Sequence, residues 1–227
     1  MGKAEPESAP LYRVIVVGGH TRSIGKTQLV CDLITAMPET KFVAGKITQY
    51  GHGVCAQNGE HCGCAPDEHS SAFDWETDAA TGTDSARFLA AGAIRSFWLR
   101  TKQGYLAEGL PLLRHALASL PDTAEKTPAN VLIESNSLLQ FLRPALYVAV
   151  LNPDKEDFKP TAQSLLDRAD IFALRSELPG HSSPWPQISA KLLRGKPTFL
   201  QREGEQIPGE LLKLVGAALA LPATQRI

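Results

Sequence analysis

Several features are missing from this chain of 227 residues, and each absence narrows what it can do. No run of 18 or more apolar residues exists, so no segment reads as a membrane-crossing helix and no membrane partner is expected. Neither charge dominates: 23 Lys and Arg face 24 Asp and Glu, a formal net charge of -1. That balance gives no general attraction to nucleic acid, which is not expected as a partner. Cysteine is scarce, with 4 residues, too few for a disulfide framework in a chain of this length, so any clustering among them points to metal or redox chemistry. The stretch "MGKAEPESAP" lacks the apolar core of a signal peptide, and the expectation is a cytoplasmic protein. Internal repeats and low-complexity tracts are absent as well.

What is present is a 43% hydrophobic chain, enough for one buried core, and a single domain over residues 1–227 is expected. Apolar runs at 11–17, 41–47, 94–100, 130–135, 145–151, 170–175 and 197–201 read as strands. Helical patterns lie between them at 25–37, 84–93, 106–120, 161–169, 185–194 and 208–220. Several strands are apolar without alternation, as parallel strands covered on both faces are. The expectation is an α/β fold: a doubly wound, mostly parallel sheet of about seven strands, with ligands bound beyond the strands' carboxyl ends. Residues 49–82 carry no recognisable element and hold three of the four cysteines. A stretch that long marks an insert with its own purpose.

The first strand runs into "GGHTRSIGKTQLV". A phosphate-binding P-loop reads G-x-x-x-x-G-K-[ST], and Gly25-Lys26-Thr27 supplies its end at the start of a helix. Such a loop binds phosphate because its backbone N–H groups and the helix N-terminus present positive potential together. Gly19, Ile24, Gly25, Lys26, Thr27 and Gln28 are the candidate nucleotide-binding residues, Lys26 for the phosphates and Thr27 for Mg²⁺. The count is irregular: the first glycine is due at position 20, where the chain has His20. Either Gly19 opens a loop one residue longer, or His20 replaces the glycine.

Other strand ends carry charge. Glu134 closes the apolar run "NVLIE" and can hold Mg²⁺ or polarise water. Lys46 ends the second strand, where an anionic partner would offset its burial. Lys26, Lys46 and Glu134 are the candidate catalytic residues. Asp84 reads as the cap of the helix "DSARFLAAGA", with Arg87 one turn on. Lys155, Asp157 and Lys159 read as a solvated charge run. No N-K-x-D guanine signature follows "IFALRS", which leaves GTP and ATP both open as the ligand.

Taken in order, the loop, "VAGKITQYGHG", "TDSARFLAAGA" and "VLIES" resemble the protein B family of molybdopterin-guanine dinucleotide biosynthesis, MobB-like members of the SIMIBI class of P-loop NTPases. That family shows a G-x-x-x-x-G-K-T loop, a lysine before a histidine-rich stretch, an Asp-Ser/Thr-x-Arg helix ending in Ala-Gly-Ala, and a strand ending in Val-Glu-Gly. The matching elements lie within the first 135 residues. The resemblance implies phosphate and Mg²⁺ roles for Lys26 and Thr27, a place beside the nucleotide for Lys46 and Asp84, a Mg²⁺-linked acid at Glu134, and a homodimer. Its implied activity is nucleotide binding and hydrolysis coupled to cofactor or metal handling, with a cofactor-biosynthesis partner protein. "HTRSI" and "ESNS" depart from the family pattern, as does the Cys-rich insert. Dethiobiotin synthetase-like ligases and small-molecule kinases share the loop, the lysine and the acid. A kinase or ATP-dependent ligase acting on a small molecule is therefore one alternative, with Lys46 and the Ser135–Ser137 turn on the acceptor, and a non-catalytic nucleotide-dependent adapter is another.

Within the insert, Cys55, Cys62, Cys64 and His69 gather three thiols and an imidazole, with His52 and His61 in reserve. Such a set suits Zn²⁺ in a closed tetrahedral site, or an Fe–S cluster. Protein prepared anaerobically is expected to carry stoichiometric zinc or iron, and Cys62→Ser to lower it; elemental analysis finding neither metal removes the assignment.

Overall fold

A computed structural model describes residues 12–51, 54–56, 60, 61, 63, 68–120, 129–180 and 182–223. Among them one sheet of eight strands forms: β1 (Arg13–Gly19), β2 (Val43–Tyr50), β3 (Ser71–Trp75), β4 (Arg95–Lys102), β5 (Asn130–Glu134), β6 (Leu146–Leu151), β7 (Ile171–Leu174) and β8 (Thr198–Leu200). Their order is β3-β4-β2-β5-β1-β6-β7-β8. Every pairing is parallel except β3 on β4. The helices are α1 (Lys26–Ala36), α2 (Asp84–Ala90), α3 (Leu106–Ala118), α4 (Pro160–Gln163), α5 (Ala190–Arg194) and α6 (Gly209–Ala220).

The seven strands expected from the sequence all form, and the eighth, β3, lies inside the stretch read as having no element. In "SAFDW", Phe73 and Trp75 alternate with Asp74; Phe73 stacks on Phe97 of β4 with ring centroids 5.4 Å apart, and Trp75 meets the same ring edge-on at 5.9 Å. Cross-strand aromatic packing of this kind holds an edge strand that five residues alone would not.

Strands buried on both faces explain the unbroken apolar runs: all six residues of β6 and all four of β7 are buried. One face carries α3, α4 and α5, and its core includes Leu110, Leu113, Ala162 and Leu193. The opposite face carries α1, α2 and α6 through Leu29, Leu33, Phe88 and Leu211. Helix α1 shows how local sequence sets this: Leu29, Val30, Leu33 and Ile34 recur at helical spacing and are buried, and Pro38 bars continuation. The connections leave β1 toward β2 on one side, while β5 to β6 crosses to the other, so the crevice at the carboxyl end of β1 is the switch point of the sheet.

Gly45 of β2 pairs with Phe97 of β4, and the Phe97 ring lies directly over it. A Cβ there would stand 2.1–2.4 Å from three ring atoms. Gly45→Ala is expected to cost roughly 1–3 kcal/mol by overpacking, with Phe97→Leu recovering part of the loss. Urea unfolding of both variants measures it, and an unchanged midpoint for Gly45→Ala overturns the packing account.

Candidate phosphate-binding cleft

Gly18 and Gly19 stay in β1, and Gly19 pairs with Val150 of β6. The connection to α1 therefore spans 20–25, and His20 takes the position of the loop's first glycine. Of the two readings of the irregular count, the replacement is the one observed. His20 is fully buried, with its ring 4.9 Å from Trp185 and 5.0 Å from Phe158. The Asn152 N–H donates to Nε2 at 3.0 Å, which places the proton on Nδ1, the donor to the Asp157 carbonyl at 2.8 Å. Burial holds its pKa below the ordinary histidine value, against the pull of the Asp157 carbonyl. The imidazole thus anchors the head of the loop to the chain after β6. Thr21 Oγ1 donates to the Asp157 carboxylate at the same place.

The glycines answer to close approach. Asn136, just past β5, lays its amide along Gly19: the Gly19 N–H donates to Oδ1 at 2.8 Å and Nδ2 donates to the Gly19 carbonyl at 2.7 Å. A Cβ on Gly18 would meet Asn136 Oδ1 at 2.2 Å. Gly25 adopts φ 83°, a left-handed conformation that favours glycine, and a Cβ there would meet the Arg175 guanidinium at 2.6 Å. Arg175, from the end of β7, donates from Nε to the Ile24 carbonyl at 3.1 Å, from one terminal nitrogen to the Gly25 carbonyl, and from the other to Gln201 at 2.8 Å. Helix α1 starts without a side-chain cap and with no acid in its first turn. Its first N–H groups are left to face an anion.

Around this loop five of the sequence candidates converge. Lys26 Nζ donates to the Thr21 carbonyl across the loop at 2.6 Å. Thr27 Oγ1 donates to Glu134 Oε2 at 2.7 Å, and Lys46 Nζ lies 3.2 Å from Glu134 Oε1 while also bonding the Asp84 carboxylate. Asp84 does not cap α2: Thr83 occupies the N-cap and accepts from the Ala86 N–H, freeing Asp84 at the first helical position to reach Lys46. Gln28 accepts from Arg87 at 2.7 Å. Gly19 is enclosed beneath the loop, whereas Ile24, Gly25, Lys26, Thr27, Gln28, Lys46, Asp84 and Glu134 line a cleft of about 1000 Å³.

Lys159, set aside in the sequence as part of a solvated run, lines this cleft too, as do Arg175, Asn136 and Glu203. Arg175 and Asn136 are the residues that sequence reasoning missed. Their only signal was position: each falls at or just past the carboxyl end of a parallel strand. The Ser135 hydroxyl accepts from the Leu138 N–H at 3.1 Å and so closes its own turn. Cys31 is buried in α1.

Of the cysteine set, Cys62 and Cys64 lie outside the described residues. Cys55 is buried, its N–H bonded to the Glu60 carbonyl at 2.8 Å, and His69 Nδ1 is buried without a hydrogen-bond partner among the described residues. Among those residues no group of three or more His, Cys, Asp or Glu gathers as a metal site, and no helix is long and apolar enough to cross a membrane.

The fold is α/β, of the P-loop NTPase kind. Among solved structures it is similar to HypB from Helicobacter pylori in complex with nickel, with a TM-score of 0.50 and 14% sequence identity over 93% of this chain and 88% of that one. At that identity the similarity concerns the fold alone. No family model matches the chain, and no curated protein matches it in sequence.

The two lysines differ in their surroundings. Burial lowers the Lys26 pKa to about 8, with Lys46 and Lys159 adding to the effect and Glu134 and Asp84 opposing it. At Lys46 burial also acts downward, but Glu134 and Asp84 outweigh it and the pKa is raised. Between pH 8 and 10.5 the unfolded chain therefore holds more protons at Lys26 than the folded one, so this residue makes stability rise with pH across that window. Lys26→Met is expected to flatten that part of the stability curve relative to the unsubstituted chain. Identical pH profiles from chemical unfolding would show that Lys26 titrates normally.

Proposed function

We propose that the protein is a Mg²⁺-dependent P-loop NTPase that binds GTP or ATP at the 20–27 loop and couples binding and hydrolysis to the handling of a metal or cofactor, in the manner of the MobB-like family. The observation that carries this reading is the convergence of Lys26, Thr27, Lys46, Asp84 and Glu134 beside an uncapped helix N-terminus. Backbone N–H groups of residues 21–27 cradle the phosphates, with positive charge from Lys26, since the N–H groups of Gly19 and His20 are taken by Asn136 and Val150. Thr27 and Glu134 offer a hydroxyl and a carboxylate at one point, hard oxygen donors of the kind Mg²⁺ takes. Bound there, the ion would neutralise phosphate charge.

This chain's own groups then do the rest. Lys26 leaves the Thr21 carbonyl for phosphate oxygen, and Lys46 is within reach of the same anion once it moves off Asp84. Glu134, held by Thr27 and Lys46, is the acid placed to orient water. Support for metal handling comes from the shared fold of HypB, whose crystal structure contains nickel, together with the cysteines of the insert. The alternative of a small-molecule kinase keeps Lys46 and Ser135 on the cleft for an acceptor, the Ser135 hydroxyl still having its proton to donate while it accepts from Leu138.

Lys26→Ala is expected to weaken Mg-GTP or Mg-ATP binding by about tenfold to a hundredfold, the loss of one charge-assisted hydrogen bond worth roughly 1.5–3 kcal/mol. Titration calorimetry reads this, and unchanged affinity refutes the site. Because Lys26 sheds its proton near pH 8 in the free protein, nucleotide binding above that pH should take up protons. Calorimetry in buffers of different ionisation heat detects the uptake. Hydrolysis that appears only with an added metabolite would favour the kinase reading.

A further inference from the structure

A second cavity, of about 590 Å³, opens at the opposite edge of the sheet, where β6, β7 and β8 begin. Its walls are three turns: the one after β5 that leads to β6, the one before β7, and the one before β8. Each contributes a cation, namely Arg143, Arg168 and Lys196. Asp167 and Asp170 are the acids among its lining residues.

The two acids are not in ion-pair contact with the cations. Arg168 donates to the Leu139 carbonyl and, at 3.1 Å, to the Leu142 carbonyl. Lys196 Nζ donates to the carbonyls of Asp167 and Ala169 at 2.6 and 2.5 Å. Carbonyl oxygens satisfy N–H groups but carry no net charge. Among the described residues no carboxylate forms an ion pair with Arg143, Arg168 or Lys196. Asp170 accepts from the Tyr147 N–H at 2.8 Å through one carboxylate oxygen and lines the cavity beside the cations. Elsewhere in the molecule Lys46, Arg87, Arg100, Arg202 and Lys213 each have a carboxylate partner, and the cations bonded to carbonyls in the same way as Arg168 and Lys196 include Lys26 and Arg175 of the phosphate-binding cleft.

Three cations against two carboxylates leave the lining one positive charge in excess, and Arg168 and Lys196 spend their hydrogen bonds on neutral carbonyls rather than on those acids. Arg168 and Lys196 are also held in place by their carbonyl bonds, so little side-chain freedom remains to be lost when an anion arrives. We propose that this cavity binds the oxyanion of a small metabolite, a phosphate monoester or a carboxylate. Its volume exceeds that of a bare anion, which leaves room for the rest of the metabolite beside the uncharged lining residues Leu139, Pro144 and Ala145. The site faces away from the cleft at the carboxyl edge and is independent of any nucleotide bound there.

The test uses the full chain carrying Lys26→Ala, so that the phosphate loop does not compete for the probes. Inorganic phosphate and malonate are titrated separately by calorimetry, at low ionic strength because exposed charges are screened. At least one probe is expected to bind with a millimolar Kd. Adding Arg143→Ser or Lys196→Gln should weaken binding at least fivefold with the melting temperature of Arg143→Ser unchanged, since Arg143 is exposed. Binding of phosphate alone identifies a phosphate monoester as the ligand, and binding of malonate alone a carboxylate. Uptake of neither probe overturns the proposal. So does Arg143→Ser binding as tightly as its parent, and that variant decides the matter if Lys196→Gln fails to fold.

Discussion

Glu134 is a carboxylate buried at the end of a central strand, and the geometry of the whole carboxyl edge follows from keeping it satisfied. A buried carboxylate left unpaired would be strongly destabilising. Here a hydroxyl from α1 and an ammonium from β2 meet its two oxygens, and the ammonium in turn holds a carboxylate from α2. Four elements distant in the chain are tied through one acid. The same arrangement leaves a cationic loop and a mixed-charge floor facing each other, which is the electrostatic condition for receiving a polyanion with its counter-ion.

The loop itself is held from three directions, each through a partner far from it in the chain. His20 fastens its head to the segment after β6, Asn136 grips Gly19 from beneath, and Arg175 collects the carbonyls at its tail. Preorganisation of this kind lets backbone N–H groups point at a ligand without being reordered when it arrives. It also accounts for the unusual residue at position 20. A histidine can stand where a glycine is expected because its side chain packs against Phe158 and Trp185 and does not line the cleft.

Much of the architecture was legible because parallel strands covered on both faces read as plain apolar runs, and because α1 follows its strand with Gly-Lys-Thr at the junction. Strand β3 was not legible: "SAFDW" owes its place to Phe97 on a neighbouring strand, a partner that local sequence does not reveal. The role of Asp84 was misjudged for a similar reason. Thr83 and Asp84 are both good cap residues, and what decides between them is Lys46, 38 positions away. Arg175 and Asn136 act through backbone groups of a loop more than 100 residues earlier, with |i−j| of 150 and 117, so no spacing rule could expose them.

The position of β3 carries one more implication. The chain leaves β2 at Tyr50, returns as an antiparallel strand on the outer edge of β4, and only then enters α2 and β4. Remove the excursion from Gly51 to Trp75 and the parallel β2-α2-β4 crossover would still be whole, with β4 as the new edge. The cysteine-bearing segment is thus an addition to a crossover that is whole without it, and a change in its length would leave the groups around Glu134 where they are.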